Sequence, residues 1–111
     1  MKKLLYLGTP YNDENKAVEE ERLAIFRKIA AEIEISGDYH VISPMYTLYL
    51  IEHGHKLPTT WDFWKSYGEL LISKCDVIYI IKSQGWDKSK GVIGEIELAK
   101  KYNKPLKFLG V

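Results

Sequence analysis

At 111 residues, 46% hydrophobic and 28% charged, the chain has the composition of one globular domain, with no room for a second core. A net charge of +1 excludes a general electrostatic attraction to nucleic acid or to a membrane surface. The single cysteine, Cys75, excludes an intramolecular disulfide and fits a reducing cytoplasm.

In chain order, Leu4-Leu5-Tyr6-Leu7 is a continuous apolar run ended by Gly8-Thr9-Pro10, the pattern of a strand buried on both faces. The same run is too short for a signal-peptide core or a membrane span, so a soluble, intracellular protein is expected. Asn12-Asp13 offers helix caps, and a helical pattern follows to about Ile35, with Arg22, Ile25, Phe26, Ile29, Ala30 and Ile33 as its inward stripe. The acidic run from Glu14 to Glu21 reads as its solvated face. Ser36-Gly37-Asp38 stops the helix, and Tyr39-His40-Val41-Ile42 is a second short strand closed by Ser43-Pro44.

Residues 45–60 read as a short helix or turn followed by a loop. Thr60 then caps a helix from about Trp61 to Ser73, and Asp76 to Ile81 is the clearest buried strand. A loop from Lys82 to Lys90, a helix from about Gly91 to Tyr102 and a strand over Pro105 to Leu109 complete the chain. Strands alternating with helices predict a single three-layer Rossmann/flavodoxin-like α/β domain over residues 1–111, with a four- to five-stranded parallel sheet. In such sheets ligands bind at the carboxyl ends of the strands. That rule points to Gly8-Thr9-Pro10-Tyr11, to Ser43-Pro44, to the segment after Ile81 and to the chain end.

The sharpest local feature is Gly85-Trp86-Asp87-Lys88-Ser89-Lys90-Gly91-Val92-Ile93-Gly94-Glu95. Gly91, Gly94 and Ser89 at a helix start expose backbone N–H groups to an anion, and the helix dipole adds positive potential. Ser89 can donate to a phosphate oxygen, Lys88 and Lys90 raise the local potential, and Trp86 either closes over a base or anchors the loop by packing. Glu95 sits about one turn inside, where the dipole is expected to favour its ionised form. A carboxylate there suits glycosyl transfer through a covalent intermediate, or simply stabilises the dipole.

The chain resembles the nucleoside 2-deoxyribosyltransferase superfamily, including its 2′-deoxynucleoside 5′-monophosphate N-hydrolase branch. The matching pieces are Leu5-Tyr6-Leu7-Gly8, Cys75-Asp76-Val77-Ile78, Ser89-x-Gly91-x-x-Gly94-Glu95-x-x-x-Ala99 and Lys104-Pro105, in the family's order. The resemblance implies Glu95 as nucleophile at C1′, Tyr6 as the tyrosine that orients it, and Ser89 as the phosphate-binding serine. It also implies that Gly8 and Thr9 wrap the sugar phosphate, that no cofactor is needed, and that the chain forms a homodimer or higher homo-oligomer. One departure stands out. The family places a second carboxylate about eight residues before the Asp76 equivalent, and that position is Gly68. Glu69 serves after a one-residue shift, or Asp62 from two turns earlier on the same helix face.

Trp61, Phe63, Trp64 and Tyr67 on one helix read as core or subunit interface rather than as base-stacking platforms. Cys75, with no histidine near it in sequence, reads as a structural thiol. Arg22 reads as a partner of its acidic neighbours, and His53-Gly54-His55 lacks the ligand cluster of a metal site. The expected activity is N-glycosidic cleavage of a nucleotide, by hydrolysis or by deoxyribosyl transfer. The alternative is a nucleotide-binding or sensor module without turnover.

Overall fold

In a computed structural model, which describes residues 1–52 and 55–111, the first apolar run is strand β1, Lys3–Gly8, with Leu5, Tyr6 and Leu7 wholly buried. Helix α1, Lys16–Ser36, leads to β2, Tyr39–Ile42, and helices α2, Pro44–Glu52, and α3, Trp61–Lys74, precede β3, Val77–Ile81. A short 3-10 turn at Trp86–Lys88, helix α4, Lys90–Lys101, and β4, Leu106–Leu109, follow.

The sheet has four strands, all parallel, in the order β2-β1-β3-β4. Tyr6 lies between Ile42 and Ile78 in register. Alternation along β1 sends Leu5 and Leu7 to one face, where they pack with Phe26 and Ala30 of α1 and with Met45 and Leu48 of α2. Tyr6 points to the other face, into a core of Ile72 from α3 and Val92, Leu98 and Ala99 from α4, with Ile78 and Ile80 of β3. The result is the expected three-layer, flavodoxin-like domain with a four-stranded sheet. The strand order reverses between β1 and β3, which sets the crevice between the β1–α1 and β3–α4 loops.

The Cys75-Asp76 and Lys104 positions do structural work. Asp76 fixes the start of β1: its carboxylate accepts from Leu4 N at 2.7 Å while its own N–H donates to Leu4 O at 2.8 Å. Lys104 Nζ donates to Cys75 O at 2.8 Å, and the buried Cys75 thiol donates to Ile72 O at the end of α3. Burial raises the thiol pKa above its ordinary value.

Helix α1 begins later than the Asn12-Asp13 caps predict. Asn15 takes the cap, accepting from Ala17 N at 2.9 Å, and Asp13 accepts from Asn15 N at 2.8 Å. Asn12 is engaged elsewhere, with Thr59. In residues 45–60, the expected short helix or turn is the nine-residue α2. Among the described residues no helix is long and apolar enough to cross a membrane.

Candidate active site

Tyr6 and Glu95 are 89 residues apart in sequence and meet as a buried pair, the Tyr6 hydroxyl donating to Glu95 Oε2. Tyr6 comes from the inward alternation of β1. Glu95 is the sixth residue of α4 and only 6% exposed. Gly8, at the end of β1, makes the room: a Cβ there would stand 2.7 Å from Glu95 Oε1.

Burial determines the charge state of the pair. Loss of water raises the Glu95 carboxyl to about 8, and the Tyr6 hydrogen bond only partly opposes that rise. Tyr6 is itself pushed well above the ordinary tyrosine value, first by burial and then by the adjacent carboxyl. The expected dipole-stabilised carboxylate is therefore corrected. The dipole decays within the first turn of a helix, whereas desolvation acts on the whole buried group. At neutral pH the unliganded Glu95 is mostly protonated.

Glu95 opens on a cavity of about 340 Å³ at the switch point. Thr9, Tyr11 and Asn12 form the wall that follows β1. Ser43, Met45 and Leu48 form the wall that follows β2, Thr59 to Asp62 and Trp64 the wall at the start of α3, and Lys88 to Gly91 the wall at the start of α4. The last wall carries positive potential from Lys88, Lys90 and the helix terminus. The Ser89 side chain caps α4, its Oγ accepting from Val92 N at 3.2 Å, which uses the oxygen as an acceptor and not the hydroxyl proton. Ser43 Oγ accepts from Met45 N at 3.2 Å and does the same for α2.

Not every expected residue reaches the cavity. Asp62 lines it, whereas Glu69 does not. Glu69 lies on the side of α3 that packs on α4, where its carboxylate accepts from Lys101 Nζ at 2.8 Å and Tyr102 OH at 2.7 Å. These partners hold its pKa below the usual carboxylate range. At Gly68 a Cβ would face the Tyr6 hydroxyl at 3.4 Å, but the Trp61 ring stands 3.3 Å away and fills that space.

Trp61 is wedged between α3 and α4 because Gly94 leaves room for its indole, and one part of it borders the cavity. Trp64 is buried in the core, donates its Nε1 proton to Pro58 O at 2.8 Å, and also borders the cavity. Trp86 does not line the cavity and packs against Phe108, with ring centroids 5.4 Å apart. Pro10 is fully buried behind the first loop.

Arg22 has an acidic partner of the kind expected, Asp13, and main-chain partners besides. Its guanidinium donates mainly to the main-chain carbonyls of Tyr11, Asn12 and Gln84, and Asp13 stands 3.9 Å away. Sequence reasoning missed Asn12 and Thr59 as cavity residues. Asn12 carries a capping side chain, and only the fold brings it to Thr59. Among the described residues no three His, Cys, Asp or Glu side chains gather to hold a metal; His53 and Gly54 lie outside the described residues.

No curated protein matches the chain. A family model does, across residues 5–108, a span that includes Tyr6, Gly8, Ser89 and Glu95. The chain belongs to that family, described as a domain of unknown function, DUF4406.

Proposed function

We propose that the chain cleaves the N-glycosidic bond of a (deoxy)nucleoside 5′-monophosphate or a related nucleotide, with Glu95 as nucleophile. The observation that carries this reading is the buried Tyr6–Glu95 pair opening on a cavity that the cationic start of α4 also lines. A phosphate held by Ser89, the α4 amides and the flanking lysines would direct the sugar towards Glu95. Ionised Glu95 attacks C1′, and the C1′–N bond breaks with its electron pair passing to the base. The base nitrogen takes a proton from water. Water, or a second base in a transferase, then adds at C1′, gives up its proton, and releases the Glu95 carboxylate.

Burial makes pH the sharpest test. Because the Glu95 carboxyl is raised to about 8 and the nucleophile must be ionised, kcat/KM should climb as pH rises towards about 8. A panel of deoxynucleoside monophosphates, with release of free base followed, should show turnover in the native protein. Glu95→Ala should lower it by about three orders of magnitude or more, in line with loss of a nucleophile. Full activity in Glu95→Ala, or a rate that falls with rising pH, would exclude the nucleophile role.

A nucleotide-binding module without turnover is the second reading. It is favoured by the engagement of Glu69 with Lys101 and Tyr102, which leaves Asp62 as the second carboxyl at the cavity. Calorimetric binding with no base released would identify it. Homo-oligomerisation in the cytoplasm is part of the same proposal, supported by Leu50, Phe63, Tyr67 and Leu70, which α2 and α3 expose.

A further inference from the structure

Arg22 is 6% exposed, and its guanidinium ties together the two loops that flank the switch point. Nε and Nη2 donate to Gln84 O at 3.1 and 2.7 Å, and Nη1 donates to Tyr11 O at 3.0 Å and Asn12 O at 2.8 Å. Gln84 immediately precedes the turn that delivers Lys88 and Ser89 to the cavity. Tyr11 and Asn12 are cavity residues of the opposite loop. Asn12 extends the tie to the third wall, its Nδ2 donating to Thr59 O at 3.1 Å and its Oδ1 accepting from Thr59 Oγ1 at 2.5 Å.

The β3–α4 loop is shaped to admit the guanidinium. Gly85 has φ of 80°, in the left-handed region, and a Cβ there would stand 2.8 Å from Arg22 Nη2. A planar, always-charged fork can hold three carbonyls in one fixed arrangement, which a lysine ammonium on a flexible stem cannot reproduce.

We propose that Arg22 is a positioning residue that sets the separation of the β1–α1 and β3–α4 loops, so that the cavity's anion-binding wall is preformed for a phosphate. The phosphate part rests on the nucleotide reading of the cavity; the coupling of the two loops does not. Arg22 touches no ligand in this scheme and acts through the carbonyls it holds.

The test uses the full chain and Arg22→Lys, with calorimetric titration of a deoxynucleoside 5′-monophosphate and its parent nucleoside, together with amide hydrogen exchange. Affinity for the monophosphate should fall about tenfold while the nucleoside changes by less than about twofold, because lysine cannot replace the fork. Exchange should quicken in residues 9–13 and 84–91 together while the central strands keep their protection. Gly85→Ala presses on the same guanidinium from the other side and should reproduce the paired loosening if Arg22→Lys does not fold. Quickened exchange in one loop only, a uniform loss of protection across the sheet, or unchanged monophosphate affinity would overturn the proposal. If the native protein binds neither nucleotide nor nucleoside, the nucleotide reading fails, and the paired exchange of the loops still decides the role of Arg22.

Discussion

A methyl group at position 8 would stand 2.7 Å from Glu95 Oε1 and equally close to Ile80 Cδ1, so Gly8→Ala must displace the carboxylate, the isoleucine or β1 itself. The isoleucine sits in a wholly buried core, which leaves the carboxylate as the softer neighbour. Moving a reacting group by about 1 Å costs on the order of a hundredfold in rate. Under the proposed mechanism, Gly8→Ala is therefore expected to lower kcat for base release by about two orders of magnitude, with a smaller change in KM, and in any case to destabilise the fold by about 1–3 kcal/mol through overpacking. Steady-state kinetics and urea unfolding would measure the two effects; unchanged kcat would mean that Glu95 Oε1 is not at the reacting atom. Local pattern singled out the Gly8 turn and Glu95 at a helix start, whereas Tyr6 was named only through the family resemblance, because nothing local marks a strand tyrosine as the partner of a residue 89 positions away. Sequence reasoning misjudged the charge of Glu95, since desolvation depends on the opposing Tyr6 and Gly8 walls, which meet α4 only in the fold.

At the scale of elements, β1 and β3 were legible as apolar runs because the central strands are covered on both faces, and all four expected strands map onto observed ones within a residue or two. The start of α1 was not legible. Asn12, Asp13 and Asn15 have similar capping chemistry, and the choice among them rests on the tie between Asn12 and Thr59, 47 residues away. The same limit applies to Glu69 and Asp62, which spacing places on one helix face. Packing on α4 brings Lys101 and Tyr102 to Glu69 and leaves Asp62 at the cavity.

Helix α4 itself yields a prediction with two readouts. Ser89→Ala removes the oxygen that accepts from Val92 N, a cap whose loss costs about 1 kcal/mol. In a domain of this size that lowers Tm by about 4 °C. If Ser89 also meets a phosphate, monophosphate affinity should fall further than affinity for the parent nucleoside. An equal fall for both ligands would confine Ser89 to capping.

For the whole molecule, the buried Glu95 carboxyl links stability to pH. Its folded pKa, about 8, lies above its value in the unfolded chain, so between those two values the folded state holds the extra proton. Stability from this group is fully present below the unfolded pKa and is lost as pH rises through about 8. Glu34 and Glu69 act in the opposite sense, because their folded pKa values are lowered, but their contribution is complete once pH exceeds the usual carboxylate range. Between pH ~5 and ~8, Tm should therefore decline with rising pH, dominated by one residue. Glu95→Gln keeps the volume and a hydrogen-bonding group beside Tyr6 but cannot ionise, so its Tm should stay nearly flat over that window and exceed the native value at its upper end. Calorimetric scans of both proteins at matched ionic strength would measure the difference. Parallel curves would mean that water reaches Glu95 in solution and that its carboxyl titrates in the ordinary range, and the pH-rate profile expected of the nucleophile would shift down with it.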